Sequence, residues 1–330
     1  MPHVEVLTIG AAVQDCFLRS NQFEEKMNRF APDGLDACVP LGSKIQLEDL
    51  ETLVGGGATN AAVTFSRFGL KTACIARIGK DATGDDIIAE LKKNKVDVSG
   101  LQVDADSKTG RSIILISGSG HRAIFTYRGA AAHVATRRVT WTDFAPSWIY
   151  LTSLGGDLDK VHGVFAAASR LSARVAWNPG GLELEHGKRK LAPFLKQTDV
   201  LILNREEAAL LAQKPPRDLR GIFKTLSPTT GIALTVTDGQ QGAYLHADRV
   251  TLFAPALKAK RVNTTGAGDA FGSAFVASLA RKRSLPQSLQ AAMLNATGVV
   301  THMGAHAGIL SHLPAPKDLR TVTVRVMPRL

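Results

Sequence analysis

Apolar and polar residues follow two rhythms along this chain, and the rhythms take turns. Residues 4–10 form a short apolar run closed by Gly10, read as a first strand. A polar, irregular stretch follows over 21–49. Helical spacing appears at 60–68, a strand at 72–78 and a helix at 85–95. Next come β-rich pieces at 112–117 and 123–127. From 148 onward strand and helix recur as units: 148–152 with 160–171, 174–177 with 191–196, and 200–203 with 206–212. Strands at 232–236 and 243–247, the second in a hairpin, and another at 252–262 lead into two apolar helices at 268–281 and 286–301. Residues 320–330 alternate as an edge strand or an extended tail. Alternating strand and helix predicts a largely parallel sheet covered on both faces. The β-rich pieces before residue 130 break that rhythm. Together with the segment near 13–53, those near 108–128 predict a small second sheet projecting as a lid. No repeat, low-complexity tract or linker divides residues 1–330, which predicts one domain.

Composition changes this picture little. Hydrophobic residues are 45% and charged residues 21%, as in ordinary globular proteins. The net charge of +11 comes from short scattered groups at 137–138, 188–190, 258–261 and 281–283. None is a long basic run, and none carries interleaved aromatics, which argues against nucleic acid as a partner. A general attraction for anionic substrates such as nucleotides fits better. The three cysteines, Cys16, Cys38 and Cys74, form no CxxC pair and leave an odd count, pointing to a reducing compartment. No signal-peptide pattern and no apolar run of membrane-spanning length is present, so a cytoplasmic protein with no membrane partner is expected.

Two glycine clusters carry the candidate chemistry. The first, Gly55-Gly56-Gly57-Ala58-Thr59-Asn60, precedes a helix. Its glycines permit close backbone approach to a ligand, and Asn60 offers donors and acceptors suited to sugar hydroxyls. A tight turn with Thr59 as helix cap is the plainer alternative. The second, Asn263-Thr264-Thr265-Gly266-Ala267-Gly268-Asp269-Ala270-Phe271-Gly272, joins a strand to an apolar helix. Free N–H groups at such a helix start bind anions. A carboxylate there, Asp269, suits a base that deprotonates an alcohol beside a phosphate. A P-loop is excluded, because no GxxxxGK[ST] occurs, and a dinucleotide fingerprint fails where Phe271 replaces its third glycine. Other readings stand beside these: a cap for Asp269, a turn residue for Asp15, a first-turn carboxylate for Glu207.

Together the clusters resemble the ribokinase-like (PfkB) carbohydrate kinases. Gly56 to Asn60, Gly69, and Arg77-Ile78-Gly79-Lys80-Asp81 with Gly84 look like that family's first signature, and Thr264 to Phe271 like its second. The resemblance runs from Ile9 to about Pro314. It implies a three-layer α/β/α fold with a mostly parallel central sheet and a β-sheet lid. It also implies transfer of the γ-phosphoryl group of ATP, with Mg2+, to a hydroxyl of a small sugar or sugar acid. In this resemblance Asp269 matches the catalytic base, which also touches substrate, and Gly266, Ala267 and Gly268 match the anion hole. Asp15, Gly56, Gly57 and Asn60 match substrate-binding positions. Asn204 and Glu207 match an NxxE motif that acts around phosphate and Mg2+, Glu207 through water. Thr237-Asp238-Gly239 with Gly242, together with Thr265 and Asn295, match nucleotide-binding positions. Outside these matches, His306 is a candidate neighbour for the nucleotide. Lid sheets in this family often pair, which implies a homodimer.

Four positions depart from ribokinase itself. Val13, Gly57 and Gly155 replace three polar ribose contacts (Asn, Lys and Glu), and a buried hydroxyl left without a partner costs about 1–3 kcal/mol. Arg77, Arg111 or Arg128 are the cations available to stand in for the missing Lys. Asn263 replaces a common Asp near a monovalent-cation site; it keeps the carbonyl oxygen and removes the charge, which weakens the expectation of K+. Nucleoside kinases share both signatures, so a nucleoside is the alternative acceptor, with Tyr127 available to stack on a base or to serve as a lid or core residue. A non-catalytic protein binding sugar or nucleotide is the reading from another class, opposed by the joint presence of Asp269, Asn204 and Glu207.

Overall fold

The computed structural model describes residues 4–28, 34–119, 121–227 and 231–327. The first part of the chain runs β1 (Val6–Ile9), β2 (Val13–Arg19), β3 (Glu24–Met27), β4 (Leu35–Cys38), β5 (Asp49–Gly55), α1 (Gly57–Arg67), β6 (Thr72–Ile75), β7 (Arg77–Gly79), α2 (Ala82–Lys93), β8 (Gln102–Asp104), β9 (Gly110–Ile116) and β10 (Arg122–Tyr127). Three short 3-10 turns lead to β11 (Trp148–Leu151), α3 (Leu158–Leu171), β12 (Arg174–Trp177), α4 (Gly181–Leu184), α5 (Gly187–Leu195), β13 (Val200–Asn204), α6 (Arg205–Ala212), α7 (Leu219–Leu226) and β14 (Ala233–Thr237). The chain closes with β15 (Gly242–Ala247), β16 (Val250–Pro255), α8 (Ala267–Ala280), α9 (Leu285–Val300), α10 (Pro316–Leu319) and β17 (Arg325–Met327).

Among the described residues, nine strands build the main sheet in the order β17-β16-β15-β14-β13-β12-β11-β1-β6. The run from β14 to β6 is parallel, and β15, β16 and β17 add antiparallel edge strands. Alternation along β11 decides the layers. Ile149 and Leu151 face one core with Val161, Phe165, Leu191, Leu211 and Phe223 from α3, α5, α6 and α7. Trp148 and Tyr150 face the other core with Ala61, Phe65, Phe271, Phe275 and Leu289 from α1, α8 and α9. Helices thus cover both faces, giving the three-layer α/β/α fold. Caps fix where these helices start: Asp157 accepts from the amides of Asp159 and Lys160, and Ser284 with Gln287 forms a capping box on α9.

A second, four-stranded sheet has the order β10-β9-β2-β5, with β2 and β9 parallel and the other pairs antiparallel. Its strands come from the two segments that the sequence sets apart from the βα rhythm. Three expectations need correction. The 72–78 strand divides: β6 joins the main sheet, while β7 pairs with β8 beside the Arg77–Asp104 ion pair at 2.9 Å. The 252–262 strand stops at Pro255, which has no N–H for a further ladder bond. The 21–49 stretch contains an exposed hairpin, β3 with β4.

Candidate active site

The parallel strands all deliver their carboxyl ends to one edge of the sheet, where ligand crevices of α/β proteins form. Gly10 follows β1 there, Thr152 follows β11, Asn204 ends β13 and Thr237 ends β14. α8 begins in this crevice at Gly266, whose φ of 77° permits the sharp entry. An added Cβ on Gly266 would stand 2.4 Å from the Cβ of Ala305. Asp269 lies in the first turn, and its Oδ2 accepts from Asn60 Nδ2 on α1 at 2.8 Å. Nε2 of His306 lies 3.0 Å from Asn60 Oδ1, so that nitrogen carries the proton. Asp15, 5% exposed on β2, completes the group from the second sheet, its carboxylate against the backbone of Gly55.

Burial pushes the Asp269 carboxyl above the usual aspartate range; the Asp15 charge adds to this, while the Asn60 hydrogen bond and His306 oppose it. Burial also raises Asp15, against a hydrogen bond from Ser112 and the charge of His306. A carboxyl that holds its proton more tightly is a stronger base once ionised. The arrangement therefore suits removal of a proton from a hydroxyl placed between Asp15 and Asp269.

On the other side of α8 a cavity of about 400 Å³ opens. Thr237, Gly239 and Gly242 line it from the β14–β15 turn, Gly268 from α8, and Met293, Ala296, Thr297 and Val300 from α9. Its size and mixed lining suit a small-molecule ligand. Gly268 has open space where a Cβ would stand. The hydroxyl of Thr265 is buried without a partner among the described residues. A helix start, an open glycine and an unsatisfied hydroxyl together fit a nucleotide phosphate group.

Several sequence-derived assignments change. Ala267 donates its amide to Thr264 O at 3.2 Å, so the outward donors of the turn are those of Gly266 and Gly268. Asn295 is fully buried: its Nδ2 donates to Ala270 O at 2.9 Å and its Oδ1 accepts from Leu310 N at 3.0 Å. It braces α8 and α9, and its helix neighbours line the cavity instead. Asp238 pairs with Arg205, leaving Thr237 and Gly239 at the cavity. Asn263 Oδ1 accepts from Thr265 N at 2.6 Å and its Nδ2 reaches Met303 Sδ, so its oxygen serves the turn rather than a cation. Thr59 does not cap α1; its hydroxyl donates back to Gly55 O and Gly56 O within the helix start. His306 lies against Asn60, not beside the cavity between α8 and α9. Tyr127 alternates with Thr126, which shares the row of Asp15 and Ser112; it therefore sits on the opposite, outer face of the small sheet, 53% exposed.

Asn204 and Glu207 form a capping box on α6: Asn204 Oδ1 accepts from Glu207 N, and Glu207 Oε2 from Asn204 N, both at 2.8 Å. Burial raises the Glu207 carboxyl, the Asn204 amide opposes this, and the charges of Asp269 and Glu206 push it further up. The site also contains a residue that sequence reasoning missed. The fully buried Glu183 accepts from Ser153 Oγ and from the amides of Leu154, Gly156 and Gly180, at 2.6–3.1 Å. It holds the loop that follows β11 at the carboxyl end of that strand. Its only signal in the sequence is a glutamate among turn residues, which is too common to single out.

Residues 23–312 match the pfkB family carbohydrate kinase model, and this chain belongs to that family. It is accordingly a phosphotransferase with an alcohol group as acceptor. It is similar to the ribokinase of Schizosaccharomyces pombe, 29% identical over 273 residues covering 78% of this chain and 84% of that one. It is also similar to the nucleoside kinase of Methanothermobacter thermautotrophicus, 24% identical over 307 residues and 92% of each chain. Among solved structures, a proposed ribokinase II from E. coli in complex with ATP and Mg2+ superposes with a TM-score of 0.76 at 20% identity, covering 96% of this chain and 98% of that one. No helix among the described residues is long and apolar enough to cross a membrane.

Proposed function

We propose that this protein transfers the γ-phosphoryl group of ATP to a hydroxyl of a small sugar or sugar acid, with Asp269 as general base. The observation that carries this reading is the position of Asp269. One flank of its helix turn meets the acceptor group of Asp15 and Asn60, and the other, through Gly268, opens on the nucleotide cavity. The bound nucleotide and its Mg2+ would supply the phosphoryl group and charge neutralisation, with Gly266 and Gly268 amides toward the phosphates and Glu207 toward the metal. Asp15 accepts a hydrogen bond from an acceptor hydroxyl and orients it. Asp269 takes the proton of the attacking hydroxyl. The small sheet carries Asp15 and acts as a lid that excludes water. Its outer face exposes Leu50, Ile113, Phe125 and Tyr127, a surface suited to pairing with a second copy.

Among acceptors, a sugar acid is favoured by the arginines. Arg77 is bound to Asp104, and Arg111 to Thr83. Arg128 has no side-chain partner among the described residues, and its Nη1 lies 3.6 Å from where a Cβ on Gly155 would stand. It is thus the cation available at the rim where the polar ribose contacts are missing. The nucleoside reading rests on the relative that spans 92% of this chain, but Tyr127, on the outer face, is not placed to stack on a base. ADP release measured across neutral sugars, sugar acids and nucleosides tests the assignment. Turnover confined to nucleosides would overturn it, and Arg128→Gln should raise KM for sugar acids while leaving neutral sugars unchanged.

A further inference from the structure

We infer that His306 is a positioning residue of the transfer centre, holding the Asn60 amide so that its NH2 group faces Asp269; this rests on the function proposed above. An asparagine side chain can present either its oxygen or its NH2 group to a neighbour. Only the NH2 end can donate to a carboxylate, and the oxygen end would repel it. At Asn60 the choice is made by His306, whose Nε2–H meets Oδ1 at 3.0 Å and leaves Nδ2 for Asp269 at 2.8 Å.

The histidine is itself held from two sides. Glu90 on α2 places Oε1 3.6 Å from His306 Nδ1. Arg67 donates from Nη1 to the carbonyl oxygens of His306 and Ile309, both at 2.9 Å. Asn60 and Arg67 stand seven residues apart on α1, two turns along one helix face. The same face therefore grips the side chain and the main chain of the 306–309 turn. Neighbouring Ala305 packs against Gly266, the residue that opens α8. The turn thus couples the acceptor side, the base and the helix start. The charged groups around His306 are Glu90, Asp15 and Asp269, with Arg67 bound to its backbone.

The test compares His306→Met, similar in bulk and without a donor, with His306→Gln, whose amide can still donate to Asn60. Each is assayed by ADP release with an acceptor that the wild-type protein turns over. Loss of one oriented hydrogen bond to the base should lower kcat in the Met variant about tenfold or more. KM for ATP should stay within about twofold, because the nucleotide cavity is not touched, and the Gln variant should recover most of the loss. Unchanged kcat in the Met variant would overturn the inference, as would a Gln variant impaired to the same degree. A neutron structure of the Met variant, in which the amide hydrogens are seen, gives an answer independent of turnover. An Asn60 amide that no longer donates to Asp269 supports the inference, and an NH2 group still donated to Asp269 defeats it. If the wild-type protein phosphorylates nothing on the panel, the proposed function fails, while this structural comparison still decides the role of His306.

Discussion

Replacing Asp269 by Asn is the most informative single change. It removes the proton acceptor and preserves the side-chain shape. General-base catalysis contributes about 10²–10⁴-fold, so kcat should fall by that factor, equivalent to about 2.7–5.4 kcal/mol of transition-state stabilisation. Folding should suffer little. The new amide can turn its oxygen toward Asn60 Nδ2 and keep the 2.8 Å contact. A negative charge is lost from the first turn of α8, where it is favourable by about 0.3–1 kcal/mol. Against that, a charge is removed from beside Asp15 and Glu207, both of which feel the Asp269 carboxylate or act on it. The linkage sign is specific. The folded-state carboxyl is raised, so its contribution to stability is fully present below the ordinary aspartate range and is lost as pH rises through the raised value. The stability of the variant relative to wild type should therefore increase from pH 4 to pH 7. Steady-state kinetics and urea melts at the two pH values measure these quantities. A variant with kcat within tenfold of wild type would show that Asp269 is not the base, and a relative stability that falls with pH would refute the electrostatic account.

Asp15→Asn should move the acid limb of the kcat–pH profile to lower pH at saturating acceptor, because the Asp15 charge helps hold Asp269 up; an unmoved limb means the two carboxyls do not communicate. Gly268→Ala should raise KM for ATP several-fold with stability unchanged or about 0.5–1 kcal/mol higher, since its Cβ would enter the open cavity and alanine favours the helix. By contrast Gly266→Ala, at φ 77° and against Ala305, should lose about 1–3 kcal/mol; calorimetry that finds the two variants equally stable would contradict this geometry. Glu183→Gln would turn an NH2 group toward a ring of donors, and should lose about 1–3 kcal/mol in denaturant melts. Unchanged stability would mean that the loop after β11 is not organised by that carboxylate.

The architecture and the two glycine turns are legible in the residue pattern alone. Runs of apolar residues with alternating periods are local signals, and they located the βα units from β11 to β14 and the helices α1, α8 and α9. The stretch Gly266 to Asp269 was legible for the same reason: a glycine entry and a first-turn acid lie within four residues of each other. Periodicity does not register the end of β16 at Pro255, because alternation continues past the last ladder bond. Which polar atoms meet, by contrast, is settled by the packing of the whole chain. Asn60 reaches Asp269 across 209 residues and His306 across 246. Asn295, which stands among pocket-lining neighbours, proves to be a buried brace. Such pairings depend on the order of strands in the sheet and on how helices rotate when their apolar faces pack. Those are properties of the whole fold, and no window of sequence contains them.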